Sequence, residues 1–64
     1  MKIFINNIPF YVNPNISIYY LKEIFTNDPI NYIVYYNDDI LDDDKTLLYY
    51  NIYDNSYLQI LNNK

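Results

Sequence analysis

The first twelve residues constrain this chain most. Met1 to Ile5 and Ile8 to Val12 are apolar at every second position, and Asn6-Asn7 stands between them. Side chains alternate between the two faces of a strand, so a period of two over two short runs reads as a pair of strands. A two-residue connection calls for a type I′ turn with positive φ at both positions, a region that asparagine tolerates. Met1, Ile3 and Ile5 then share one face with Ile8, Phe10 and Val12. Pro9 points the other way and has no amide hydrogen to give to a ladder, which places the second strand at a sheet edge. A lone hairpin is at best marginally stable in water, so the remaining residues must cover its apolar face.

The period then changes. Asn13-Pro14-Asn15-Ile16 reads as a turn, and Ser17 as an N-cap whose hydroxyl accepts from the first helical amides. Ile18, Leu21 and Phe25, with Ile24 beside them, fit the i, i+3, i+4, i+7 template for one helix of about two to three turns. Pro29 is expected to end it. Tyr32 to Tyr36 is β-branched and aromatic and reads as a third strand. Asn37-Asp38-Asp39 turns into a short Ile40-Leu41 piece, and Asp42-Asp43-Asp44 turns again. Thr46 to Asn51 fits a single helical or 3₁₀ turn, and Tyr57 to Leu61 is the last strand. The order is β-β-α-β-β, an α+β chain in which a mixed sheet carries one helix across one face and both apolar surfaces meet in one core. Residues 1–64 are read as one domain, with no repeat or linker.

Composition limits what such a domain can do. A chain of 64 residues buries only about 60% of its unfolded surface. There is no cysteine to staple it, so the apolar fraction of 52% must hold the fold unaided. Asn, Ile and Tyr make up about half the chain, while Gly, Ala, Arg, Trp, Cys and His are absent. Codon bias in an AT-rich genome accounts for that pattern without any selected chemistry. The net charge of -4 opposes nucleic-acid binding, which rests on Lys and Arg neutralising phosphates. No apolar run nears the roughly 18 residues that span a bilayer, and the N-terminus is no signal core. A soluble protein of the cytoplasm or another intracellular compartment is expected.

Catalysis has little to build on. Without His or Cys the common nucleophile–base pairs cannot be made, and the serines and threonines stand where caps and turns need them. Asp38, Asp39, Asp42, Asp43 and Asp44 fail the spacing of a calcium loop and lack its glycine and closing glutamate. They read as solvated turn charge. No enzyme activity, cofactor or metal is expected.

Three stretches carry a resemblance to a known family. They are Met1-Lys2-Ile3-Phe4-Ile5; Val12-Asn13-Pro14-Asn15-Ile16-Ser17-Ile18 with Leu21-Lys22; and Leu41-Asp42-Asp43-Asp44-Lys45-Thr46-Leu47, running into Tyr50-Asn51-Ile52 and Ser56-Tyr57-Leu58. In this order they resemble ubiquitin and its relatives, the β-grasp family, across essentially the whole chain. The first hairpin turn and the end of the helix are shorter than in ubiquitin. The resemblance implies that the Tyr50 hydroxyl bonds loop backbone near Asp42 or Asp43. Conjugation and sulfur carriage in this family use a C-terminal Gly-Gly. Here no glycine is present and Asn62-Asn63-Lys64 follows the last strand, so a ubiquitin-like domain that is not attached to other chains is expected.

Ubiquitin is read mainly through an apolar patch on the outer side of its sheet, ringed by basic residues. The resemblance carries that patch to Tyr35, Gln59 and Leu61, with Ile33 and Asn63 at the flanking basic positions. Asp39 and Asp54 stand where ubiquitin has linkage lysines, the hairpin-tip leucine is lost, and Lys22 matches a linkage lysine. Receptors that meet a basic rim would here face Asp38 and Asp39. Alternation puts Phe4, Tyr11, Ile33, Tyr35, Tyr57 and Leu61 on the side away from the helix, where they are expected to merge into one patch. The partner-binding residues expected are Phe4, Ile33, Tyr35, Tyr57, Gln59 and Leu61. The function expected is a non-conjugated protein-binding module, docking on a protein of the ubiquitin pathway or of a host cell and modulating ubiquitin-dependent signalling. A gene of this kind suits a large DNA virus or an intracellular parasite. The alternative is a structural protein that associates with itself, as a homodimer or assembly subunit, through the same face or the edge strand.

Overall fold

A computed structural model describes residues 1–63. Strand β1 (Lys2–Ile5) pairs antiparallel with β2 (Ile8–Tyr11), Ile3 opposite Phe10 and Ile5 opposite Ile8. Asn6 and Asn7 take φ of 51° and 68°, the left-handed pair that a type I′ hairpin requires. The Met1 ammonium and the Val12 amide each donate to the other residue's carbonyl, at 3.0 and 2.8 Å, and extend the pairing by one step. Pro9 sits on the edge strand, as its missing amide hydrogen demands: the sheet order is β2-β1-β5-β3-β4.

Helix α1 (Ile18–Phe25) has eight residues, too few to be stable in isolation. Its N-terminus is completed by chain far away in sequence. The first four amides of a helix have no partner within it. Here Tyr20 donates to the Ser17 hydroxyl and Leu21 to the Ser17 carbonyl. Ile18 donates to the Lys45 carbonyl at 2.8 Å and Tyr19 to the Asp43 carbonyl at 3.1 Å. The helix ends earlier than Pro29 suggested. Thr26 is already extended at φ -145°, its amide closing the last turn on the Lys22 carbonyl, and its hydroxyl accepts from the Asp28 amide. Pro29 instead opens a 3₁₀ turn, Pro29–Asn31, where a residue without an amide hydrogen costs nothing.

Strand β3 (Tyr32–Tyr36) is followed by β4 (Asp39–Ile40), and β5 (Tyr57–Asn62) closes the sheet. β5 lies in the middle, parallel to β1 and antiparallel to β3. The short piece read as Ile40-Leu41 pairs as Asp39–Ile40, and Leu41 turns into the core. Residues 46–51 form a turn of i to i+3 bonds, Tyr50 to the Leu47 carbonyl and Asn51 to that of Leu48. Tyr50 covers this loop, accepting at its hydroxyl from the Asp42 amide at 2.8 Å.

The core is aliphatic. Ile3 and Ile5 of β1, Ile18 and Leu21 of α1, Val34 of β3 and Leu58 and Ile60 of β5 meet Leu41, Leu47 and Ile52 from the long loop. The tyrosines stay outside this cluster; Tyr32, Tyr36 and Tyr50 pack against its margin. The arrangement is α+β, a five-stranded mixed sheet grasping one helix on one face. Among the described residues no helix is long and apolar enough to cross a membrane. Left-handed backbone falls on Asn6, Asn7, Asn37, Asp38, Asn51 and Asn55, all short polar residues that tolerate it.

Candidate functional site

The side of the sheet away from the helix is assembled by register. Phe4 of β1 lies beside Tyr57 of β5, and their rings stack with centroids 4.5 Å apart and planes 9° from parallel. On the other flank of β5, Leu61 faces Ile33 and Gln59 faces Tyr35. Directly opposed residues share a face, so these six side chains stand on one surface. The sequence had named all six.

A seventh was missed. Ile40 pairs with Tyr35 and therefore belongs to the same surface, where it is 58% exposed. Alternation cannot be read over a two-residue strand, so no local pattern marked it. Tyr57 and Leu61 are likewise open, at 61% and 46%, while Phe4, Ile33 and Tyr35 are half-buried by their neighbours. Tyr11 lies on the edge strand opposite Lys2 and so on the same side of the sheet as Phe4, as expected, and it also borders a groove lined by Val12, Ile16, Tyr20 and Ile24.

A cleft of about 280 Å³ opens beside Tyr35, Tyr57 and Gln59 of this face. β5 forms its floor at Leu58 and Gln59, and Tyr35 and Tyr57 line it. Because β1 and β3 run in opposite directions on either side of β5, their following turns reach it from opposite ends. Asn6-Asn7 comes from one end and Asn37-Asp38 from the other.

Asn6 does more than turn the chain. Its side-chain amide donates to the Ile60 carbonyl at 3.0 Å and its amide oxygen accepts from the Ile60 N–H at 2.9 Å. Its own N–H donates to the Leu58 carbonyl. The side chain thus prolongs the parallel ladder beyond the end of β1 and holds β5 beneath the cleft. Asn6→Gly keeps the left-handed backbone but removes the clamp, two bonds worth about 1 kcal/mol each. We expect urea denaturation to show a loss of about 1–2 kcal/mol. Asn7→Gly, whose residue makes no such bond, is expected to stay within about 0.5 kcal/mol of the parent.

Charge on this surface is arranged asymmetrically. Lys2 holds its ammonium 5.0 Å from the Phe4 ring centroid at one side, and Asp38 and Asp39 stand exposed at the other. Lys22, matched in the sequence to a linkage lysine, is only 4% exposed. Its ammonium lies 2.8 Å from Asp43 Oδ1, donates to the Tyr32 carbonyl at 3.0 Å and sits 5.7 Å from the Tyr19 ring centroid. A buried, paired ammonium is no accessible attachment point. The signal was present, because Ile18, Leu21, Lys22 and Phe25 keep helical i, i+3, i+4, i+7 spacing and share the core-facing stripe. Asp43 is correspondingly more than solvated turn charge: its carboxylate holds Lys22 and its carbonyl caps Tyr19. Among the described residues no three His, Cys, Asp or Glu side chains stand together as metal ligands. Asn63 donates its N–H to the Asn31 carbonyl, while Lys64 lies outside the described residues.

Compared with models of protein families and with curated proteins, the chain matches none.

Proposed function

We propose that this chain is a ubiquitin-like module that docks non-covalently on a protein partner through the outer face of its sheet. The observation that carries the reading is the continuity of Phe4, Tyr57, Tyr35, Ile40, Ile33 and Leu61 over four neighbouring strands on the side the helix does not cover. Contiguous apolar surface of this kind marks an interface, and tyrosine is a favoured anchor in one.

The sheet edges support the same choice. Ile3–Phe10 and Ile5–Ile8 are the hydrogen-bonded pairs of the hairpin, so the backbone of Pro9 and Tyr11 points outward from β2, and Pro9 has no N–H to offer. β4 is two residues long and carries Asp39. Both features disfavour the addition of a further strand. Recognition through side chains on the face is left. The acidic rim at Asp38 and Asp39 is opposite in sign to the basic surround of the ubiquitin patch. The partner is therefore a protein of the ubiquitin pathway or of a host cell that tolerates this reversed charge, met inside the cell, and the module modulates ubiquitin-dependent signalling by occupying it.

The test pairs solution mass with capture. The purified chain is expected to run as a 7.8 kDa monomer, and Tyr35→Asp and Leu61→Asp are expected to weaken partner capture from cell extract by about tenfold or more, with circular dichroism unchanged. A dimer that dissociates on either substitution would replace this reading with self-association. Capture indifferent to both would remove the face from the account.

A further inference from the structure

The cleft set into the outer face has a chemistry distinct from the apolar patch around it. Among the described residues the side chains of Asn37, Asp38 and Gln59 make no hydrogen bond, and Asp38 has no ion pair. The described lysines are engaged elsewhere: Lys22 with Asp43, Lys45 beside Asp44 and Lys2 over Phe4. Among the described residues the cleft therefore combines a carboxylate, side-chain amide oxygens and two tyrosines, with no cation of its own.

Each class of occupant can be weighed against that lining. An anionic side chain or phosphate would meet Asp38 and Asp39 unscreened. An aliphatic side chain would cover polar groups without bonding them, which costs their hydration. A guanidinium satisfies all the requirements together: it carries five N–H donors in a plane, has a fixed positive charge and stacks on aromatic rings. A volume of about 280 Å³ is at the small end of ligand sites and accommodates one side chain.

We infer that the cleft receives an arginine side chain of the docking partner, its plane against Tyr35 or Tyr57 and its charge on Asp38. The inference rests on the docking-face reading and deepens it: the partner brings apolar groups for Ile33 and Leu61 and one guanidinium for the cleft. Asp38 stands at φ 68°, where asparagine is at least as well tolerated, so Asp38→Asn removes the charge and leaves the turn intact.

The experiment is selection of a random peptide library on the intact chain, followed by affinity measurement with the selected peptides. We expect them to share an arginine. Replacing that arginine with citrulline, or Asp38 with asparagine, should weaken binding about tenfold, and arginine to lysine about fivefold. Peptides without a shared arginine that still depend on Leu61, as judged with Leu61→Asp, would overturn the cleft assignment and leave the docking face standing. Equal binding of the lysine and arginine forms would also overturn the guanidinium assignment. Failure to select any peptide, or binding unaffected by both Tyr35→Asp and Leu61→Asp, would overturn both.

Discussion

Lys22→Ala is expected to lower the unfolding free energy by about 3 kcal/mol. The substitution removes an ion pair at 2.8 Å, a charge-assisted bond to the Tyr32 carbonyl and the buried alkyl stem of the lysine. Asp43 keeps half of its side chain in water and can rehydrate, which holds the cost at the low end of that for breaking a buried pair. Lys22→Met retains the stem, so only the polar contacts are lost and about 1–2 kcal/mol is expected. A domain of this size has about 3–10 kcal/mol in all, so the alanine variant should lose about a third or more of its stability. Urea titration followed by circular dichroism or tyrosine fluorescence measures both variants. An alanine variant within about 0.5 kcal/mol of the parent, as for an ordinary surface lysine, would mean that the ammonium does not bind the helix to the loop.

Leu47→Ala should cost at least as much, about 3–4 kcal/mol. Leu47 is fully buried where the long loop meets the helix. Its N–H donates to the Ile16 carbonyl, and its own carbonyl accepts from both Tyr50 and Ile52. With the backbone held at both ends, the surroundings cannot collapse into the space left by the missing methyls, and the cavity contribution stays near its full size. The expected result is a thermal midpoint lowered by about 12–30 °C. Leu48→Ala, one residue on and exposed, should fall within about 0.5 kcal/mol of the parent. Similar behaviour of the two variants would show that the loop does not enter the core.

Local chemistry was legible where one residue type has one structural use. Ser17 before an apolar helical stripe, Asn6-Asn7 between alternating runs, and Pro9 on an edge all stand where their side chains dictate. The end of the helix was misplaced because Pro29 is a stronger signal than Thr26. The threonine stops the helix first, its hydroxyl taking the Asp28 amide. Lys22 sat in a readable stripe, but its charge argued for the surface; only the arrival of Asp43 and the Tyr32 carbonyl makes its burial tolerable. Of the six face residues, Phe4, Ile33, Tyr35, Tyr57 and Leu61 followed from period two, and Gln59 from the resemblance to ubiquitin. The cleft did not. It joins residues 6–7, 37–38 and 57–59, and its clamp spans the distance from Asn6 to Ile60, so no local pattern encodes it.

The left-handed turns have a consequence for the disordered chain. Glycine would fit those corners with less strain, yet the sequence contains none. A backbone in which every residue carries a side chain explores fewer shapes when unfolded and so surrenders less freedom on ordering. What asparagine and aspartate cost at the bends is partly returned before folding begins. A polypeptide with no staples and a small interior can thereby keep its corners at a smaller entropic cost.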